Sequence, residues 1–351
     1  MRTLHNALHS LHSGRHEMYR GRLVPCHEVP ARLENVLTEL RRRPQGPIEV
    51  PDEPADLDAV LARVHAEDYL EFLAGAWDEW VALGQDNAGF DALPAVWPGR
   101  GLRSDVVPKS FAARLGRYAF DAGTPLTAGT WRAVRAGAAC AIAGARALVA
   151  DMQQPVFVLT RPPGHHAGAD FLGGYCFLNN AALAAQVLRD AGCERVGVLD
   201  VDFHHGNGTQ SIFYERADVF TASIHGDPAT EYPFYLGYAD ERGEGAGAGF
   251  NLNLPLPSGT GFAIWRGALE QALEALRGFD ARALVVPLGV DTFAGDPISG
   301  FRLASDDYVE VGRAIASLRL PTIFVFEGGY AVAEVGVNVV NVLEGFQATS
   351  R

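Results

Sequence analysis

Cysteine is scarce in this sequence. Its four residues, Cys26, Cys140, Cys176 and Cys193, are scattered and form no C-x-x-C pair. That argues against a disulfide frame or a thiolate metal centre, and for reduced thiols in a cytoplasmic protein. Positive charge is short too: 29 Lys and Arg face 42 Asp and Glu, for a net charge of -13. A general nucleic-acid binder needs the opposite balance, because its affinity rests on Lys and Arg meeting phosphates. A cationic substrate is compatible. Long apolar runs are missing as well. The opening MRTLHNALHSLHSGRH holds no apolar core of a secretory signal. The Ala-rich stretch from Ala136 to Ala150, interrupted by Arg146, reads as too short and too polar for a membrane span. The expectation is a soluble protein with no membrane and no nucleic-acid partner.

What is there suits a sizeable core. The 351 residues are 48% hydrophobic and 20% charged, enough for one large α/β domain or two ordinary ones. Helical spacing marks Pro30 to about Arg43, through Leu33, Val36, Leu37 and Leu40, and then Asp56 to Ala76. From Trp77 to Phe111 the aromatics Trp77, Trp80, Phe90, Trp97 and Phe111 are interleaved with glycines and prolines. This stretch reads either as a packed surface loop or as a wall of the functional site that also meets a second subunit. A long helix follows from Thr130 to Ala150.

Beyond it one theme repeats. Apolar, β-branched runs at Pro155–Thr160, Val196–Leu199, Val219–Ile224, Leu284–Val290 and Thr322–Phe326 read as buried strands. Helical patterns separate them at Asn180–Asp190, Phe262–Arg277 and Ser305–Leu318. The fold class is therefore α/β, an open and mostly parallel sheet with helices on both faces. In such sheets the ligand crevice lies beyond the carboxyl ends of the strands. Each of these strands runs into polar residues: Arg161 to His166, Asp200 to Gly208, His225 to Asp227, Asp291, and Glu327 to Tyr330.

The cluster Asp200-Val201-Asp202-Phe203-His204-His205-Gly206-Asn207-Gly208 carries the most chemistry. On an extended segment Asp202 and His204 point to the same side. With Asp291 they can close a three-ligand site that leaves one coordination position open, as catalytic zinc requires. Such oxygen-rich ligation also suits Fe(II) or Co(II). Taken alone, the cluster reads equally as a helix N-cap with a surface histidine pair. His165 and His166 are candidates for proton transfer. Asp200 and Asn207 could orient them, one each. A carboxylate partner raises a histidine's pKa, and a neutral amide leaves its partner lower and better suited as a base. The Tyr330 phenol could stabilise a developing oxyanion, or simply pack at its glycine turn. Gly173 to Phe177 could form one aromatic side of a substrate channel, or an ordinary core stretch.

At these residues the chain resembles the arginase/deacetylase superfamily, on its histone-deacetylase-like branch. The matching motifs, in order, are Arg161–His166, Gly174-Tyr175-Cys176-Phe177 with Asn179-Asn180, Asp200–Gly208, Gly289-Val290-Asp291-Thr292 and Glu327-Gly328-Gly329-Tyr330. Within that branch it is similar to bacterial acetylpolyamine amidohydrolases, on Tyr214-Glu215-Arg216, Ile224 to Pro228, Gly245 to Gly249 and Asp296-Pro297. The resemblance implies one deacetylase-like domain over 1–351, with the aromatic loop at about 77–111 as an insertion that dimerises and narrows the entrance. It implies zinc on Asp202, His204 and Asp291, an acid/base pair in His165 and His166, and Tyr330 as carbonyl polariser. It also implies structural potassium held by the carbonyls of Asp200, Asp202, His204 and Ile224 with the Ser223 hydroxyl. Substrate-lining positions would be Glu17, Gly174, Tyr175, Tyr232 and Ile298.

The expected reaction is hydrolysis of an acetylated primary amine, most of all an acetylpolyamine, in a homodimer or higher homo-oligomer. One departure bears on the substrate. The family's rim carboxylate before Thr127 is missing, since the segment reads Ala122-Gly123-Thr124-Pro125 and the nearest acid is Asp121. Acetyl-lysine is accordingly the alternative substrate. A binuclear ureohydrolase would need a carboxylate two residues after His204, where this chain has Gly206. A non-catalytic acyl binder would be expected to lose the histidine pair or the phenol.

Overall fold

The computed structural model describes residues 1–349. In chain order the strands are β1 (Arg2–His5), β2 (His16–Tyr19), β3 (Arg22–Pro25), β4 (Ile48–Glu49), β5 (Val156–Leu159), β6 (Val196–Asp200), β7 (Val219–Gly226), β8 (Asn251–Leu256), β9 (Ala283–Leu288) and β10 (Thr322–Phe326). The helices are α1 (Ala31–Arg42), α2 (Leu57–Leu61), α3 (Glu67–Ala82), α4 (Phe111–Arg117), α5 (Thr130–Ala150), α6 (Asn180–Asp190), α7 (Asn207–Phe213), α8 (Phe262–Phe279), α9 (Asp307–Ala316) and α10 (Val335–Thr349).

Eight strands form one sheet in the order β4-β1-β5-β10-β9-β6-β7-β8, and every pairing in it is parallel. The hairpin β2–β3 stands apart as an antiparallel pair. Alternation along the strands divides the core in two. Val156, Val158, Val196, Val198, Val285, Ile323 and Val325 face one layer, with α5 and α6 residues such as Ile142 and Leu183. Phe157, Leu159, Leu284, Val286, Phe324 and Phe326 face the other, with α1, α8, α9 and α10. Burial on both faces is why these strands read as near-continuous apolar runs rather than alternating ones.

Several boundaries differ from the sequence reading. The helix expected over Asp56–Ala76 is two helices, α2 and α3, broken at 62–66. There the ring of His65 turns inward, with Nδ1 2.9 Å from Gly168 O and Nε2 accepting from Asn179 N–H at 3.0 Å. The irregular stretch is shorter than expected, because Trp77 and Trp80 lie on α3 and Phe111 opens α4. β1 is not legible in the sequence: it is four residues long and has Arg2 and His5 at its ends, yet it is an inner strand between β4 and β5. β8 and α10 were not foreseen either.

Helix α5 corrects the membrane argument. At 21 residues it is long and apolar enough to span a bilayer by length and composition. What opposes that reading is its burial against the sheet and α6, through Ala138, Ala141, Ile142, Ala145 and Leu148, with Arg146 paired to Asp56 at 2.6 Å.

Candidate active site

The four central strands, β5, β10, β9 and β6, are neighbours in the sheet, and their carboxyl ends deliver the polar clusters to one place. Asp202 and His204 follow β6 and Asp291 follows β9. One ligand atom from each of these three lies within 4.8 Å of the others, and all three residues are buried. His204 Nδ1 is 2.9 Å from Asp291 Oδ2 and 3.5 Å from Asp202 Oδ1. The glycines around the trio have a steric reason. A Cβ on Gly289 would overlap the Asp202 carboxylate, and one on Gly328 would lie 2.5 Å from Asp202 Oδ2 and 2.6 Å from Asp291 Oδ2.

The electrostatics are those of a cation site. Burial and the Asp202 charge push Asp291 up to about 7. Burial also opposes the charge on Asp202, but His165 and His204 hold its pKa below the usual carboxylate range. Against burial, Asp202 and Asp291 pull His204 up to about 10. Two carboxylates and an imidazole this close need positive charge between them, supplied either by a shared proton or by a divalent ion. Two carboxylate donors and one imidazole fit zinc with a coordination position left open.

The histidine pair lies on the loop after β5, with ring centroids 4.1 Å apart. His165 Nδ1 is 3.0 Å from Asp200 Oδ2, and His166 Nδ1 is 2.7 Å from Asn207 Oδ1. Burial works against a proton on His165, but the Asp202 and Asp200 carboxylates outweigh it and raise its pKa to about 10. Burial and the neighbouring His165 and His204 hold His166 well below its ordinary value. Tyr330 follows β10 and is 7% exposed. The Arg32 guanidinium lies 4.5 Å from its ring centroid, and its phenolic oxygen has no hydrogen-bond partner among the described residues. Burial raises the phenol's pKa, so it remains a donor.

His166, His204 and Tyr330 line the inner part of a cavity of about 330 Å³. Phe120, Tyr175 and Tyr232 form its walls, with Tyr232 5.1 Å from the His166 ring and Tyr175 5.6 Å from that of Tyr330. All five expected substrate-lining positions, Glu17, Gly174, Tyr175, Tyr232 and Ile298, border this cavity. No residue of 77–111 does, so within one chain the aromatic loop is not a wall of it. Asp121, the acid nearest the position where the rim acid is missing, lines the cavity and accepts from Gly174 N–H at 2.7 Å and the Tyr232 hydroxyl at 2.6 Å. Around the expected potassium position, the carbonyls of buried Asp202 and His204 accept no hydrogen bond among the described residues. Asp200 and Ser223 are direct neighbours across β6–β7.

Sequence reasoning missed the residues that hold these groups. Glu327 accepts from the N–H groups of Gly164 at 2.6 Å and His165 at 3.1 Å, fixing the histidine loop. Asp296 accepts from Tyr330 N–H at 2.7 Å. Buried Glu28 takes two bonds from Arg161, at 2.8 and 2.5 Å, and one from Arg32 at 2.9 Å. Arg32 in turn donates to the carbonyls of Gly329 and Glu327, beside Tyr330. The only available signal was a charge needing a partner, and for Glu28 with Arg161 and Glu327 with Gly164 the partners lie 133 and 163 residues away.

Known proteins are similar to this chain over nearly its whole length. Acetylpolyamine amidohydrolase 2 of Pseudomonas aeruginosa is 51% identical over 351 residues, covering all of both chains. The acetylpolyamine amidohydrolase of Mycoplana ramosa is 47% identical over 98% of this chain and 99% of its own. A crystal structure of the acetylpolyamine aminohydrolase from Burkholderia pseudomallei superimposes with a TM-score of 0.93 at 39% identity, covering 99% of each chain. The family model described as "Histone deacetylase domain" matches residues 26–346, and the chain belongs to the histone deacetylase family.

Proposed function

We propose that this deacetylase acts on acetylpolyamines, hydrolysing the amide to acetate and a free primary amine. One observation carries the reading: Asp202, His204 and Asp291 converge where His204, His166 and Tyr330 line one cavity. Those three residues would hold zinc. Bound there, the ion would polarise the amide carbonyl and lower the pKa of water. His166 donates its Nδ1 proton to Asn207, which leaves Nε2 as the base that takes a proton from the attacking water. His165, tied to Asp200, carries the proton that stabilises the charge developing nearby. The Tyr330 hydroxyl donates to the carbonyl oxygen as it gains charge. The same reading gives potassium a structural place at the carbonyls of Asp200, Asp202, His204 and Ile224 with the Ser223 hydroxyl.

One ion, rather than two, suits the packing. A Cβ at Gly206 would collide with the Asp200 carboxylate and approach His165 Nδ1 to 3.3 Å, so no bridging carboxylate can project from that position. The chain is read as one domain, working in the cytoplasm as a homo-oligomer. The aromatic loop supports the oligomer: Phe90 is 63% exposed and Leu102 67%, which is unusual for large apolar side chains grouped on one segment. Light scattering on the purified protein checks it.

The decisive experiment measures acetate release from N-acetylputrescine, N-acetylcadaverine, N-acetylspermidine and an acetyllysine peptide, with and without a chelator. The expected result is chelator-sensitive release, fastest from an acetylated polyamine. Release fastest from the peptide would move the substrate to acetylated protein. No release from any of the four would overturn the amidohydrolase reading.

A further inference from the structure

The charges around the cavity differ in what they face. Glu17 accepts from the Tyr175 hydroxyl at 2.9 Å and meets His27 Nδ1 at 2.8 Å. Asp121 is held by Gly174, Gly123 and Tyr232. Two other charged lining residues have no counter-charge among the described residues: Glu231, on the loop after β7, and Arg20, at the tip of the β2–β3 hairpin. Glu231 is half-buried. Its N–H donates to Asp227 O and its carbonyl accepts from Phe234 N–H, but its carboxylate has no partner. Arg20 is exposed, and its guanidinium rests 5.3 Å from the centroid of the Tyr19 ring. The two are not paired with each other.

Arg20 also occupies a costly backbone position. With Tyr19 opposite Arg22, the hairpin turns on two residues, Arg20 at φ +48° and Gly21 at φ +77°. Both lie in the left-handed region, where glycine or asparagine is the unstrained choice for the first. The turn therefore places an exposed arginine among the residues that line the cavity. A half-buried carboxylate on one element and a free guanidinium on another present opposite charges to whatever occupies the entrance. A polyamine tail would satisfy only the first, and a peptide-embedded acetyllysine neither.

We propose that the cavity mouth is built for a zwitterionic amino-acid head, with the α-ammonium toward Glu231 and the α-carboxylate toward Arg20, so that free ε-N-acetyllysine is a substrate. Hydrolysis adds water across its amide to give acetate and lysine. The proposal rests on the amidohydrolase reading and extends it to a second class of amine.

Four acetamides of equal reach test it: ε-N-acetyllysine with both charges, N-acetylcadaverine with the ammonium alone, 6-acetamidohexanoate with the carboxylate alone, and N-pentylacetamide with neither. In the unaltered enzyme the carboxylate raises kcat/KM, so ε-N-acetyllysine exceeds N-acetylcadaverine. Arg20→Gln lowers that ratio by about fivefold, the scale of one exposed ion pair. Glu231→Gln lowers the ratio of ε-N-acetyllysine to 6-acetamidohexanoate by a similar factor. Acetate release with both ratios unmoved by these substitutions overturns the zwitterion proposal alone. No release from any of the four overturns it together with the reading beneath it.

Discussion

Tyr330 has a free hydroxyl in the cavity and no part in the ligand trio, so its loss separates chemistry from metal binding. Tyr330→Phe is expected to keep its metal, by elemental analysis, while turnover falls by about two to three orders of magnitude, as for a lost oxyanion donor. Near-normal turnover would remove the phenol from the reaction. The histidines part in the same way: His166→Ala, which removes the neutral base, should cost more than His165→Ala. Equal losses with pH profiles of one shape would count against the assignment. Gly289→Ala drives a methyl into the Asp202 carboxylate and should abolish metal retention while the protein still folds. At this scale the legible residues were those whose partner is set by local geometry. Asp202 and His204 were legible from their spacing at the end of a strand, although the chain bends over 202–204 instead of extending, with His204 N–H donating to Asp202 Oδ1. Glu327 was illegible as a support because the N–H groups it accepts from, those of Gly164 and His165, lie on a distant segment that the fold brings to it.

Elements were legible where burial on both faces imposed a pattern. β6, β9 and β10 announced themselves by apolar runs ending in acids and glycines, and α5 and α6 by length. β1 did not, since four residues with an arginine and a histidine at their ends give no periodicity to read, and its place was set by pairing with β5. What locks that N-terminal region to the sheet is Glu28, buried between Arg161 on the loop after β5 and Arg32 on α1. Burial raises the Glu28 pKa, but the two guanidinium groups win and hold it down at about 2. A depressed pKa contributes stability that is present above the ordinary carboxyl value and lost as pH falls towards 2. Glu28→Gln leaves two buried cations underpaired and should cost about 3–5 kcal/mol in denaturant unfolding. A loss within about 0.5 kcal/mol, the range of ordinary surface changes, would show that the triad carries no such load.

For the molecule as a whole, the ligand trio links folding, metal and protons. Without an ion, the trio at neutral pH holds a proton on His204, whose pKa is raised to about 10, and part of one on Asp291, raised to about 7. Both are raised, so both contribute stability at low pH that is lost as pH climbs: the Asp291 share between the ordinary carboxyl range and about 7, the His204 share between the ordinary imidazole range and about 10. Ligation requires the same groups deprotonated, so metal binding displaces these protons and tightens with pH. A ligand that binds only the folded state stabilises it in proportion to RT ln(1 + [L]/Kd). The gap between the Tm values of metal-loaded and metal-stripped protein should therefore widen from about pH 5 to 7, because only the stripped protein holds the protons of the trio. Calorimetric titration of stripped protein with zinc at pH 7, in buffers of different ionisation enthalpy, should show protons released on binding. A gap that stays flat with pH, with no buffer-dependent heat, would mean that the trio is not where the ion sits, since ligation at these three residues must displace the protons they share.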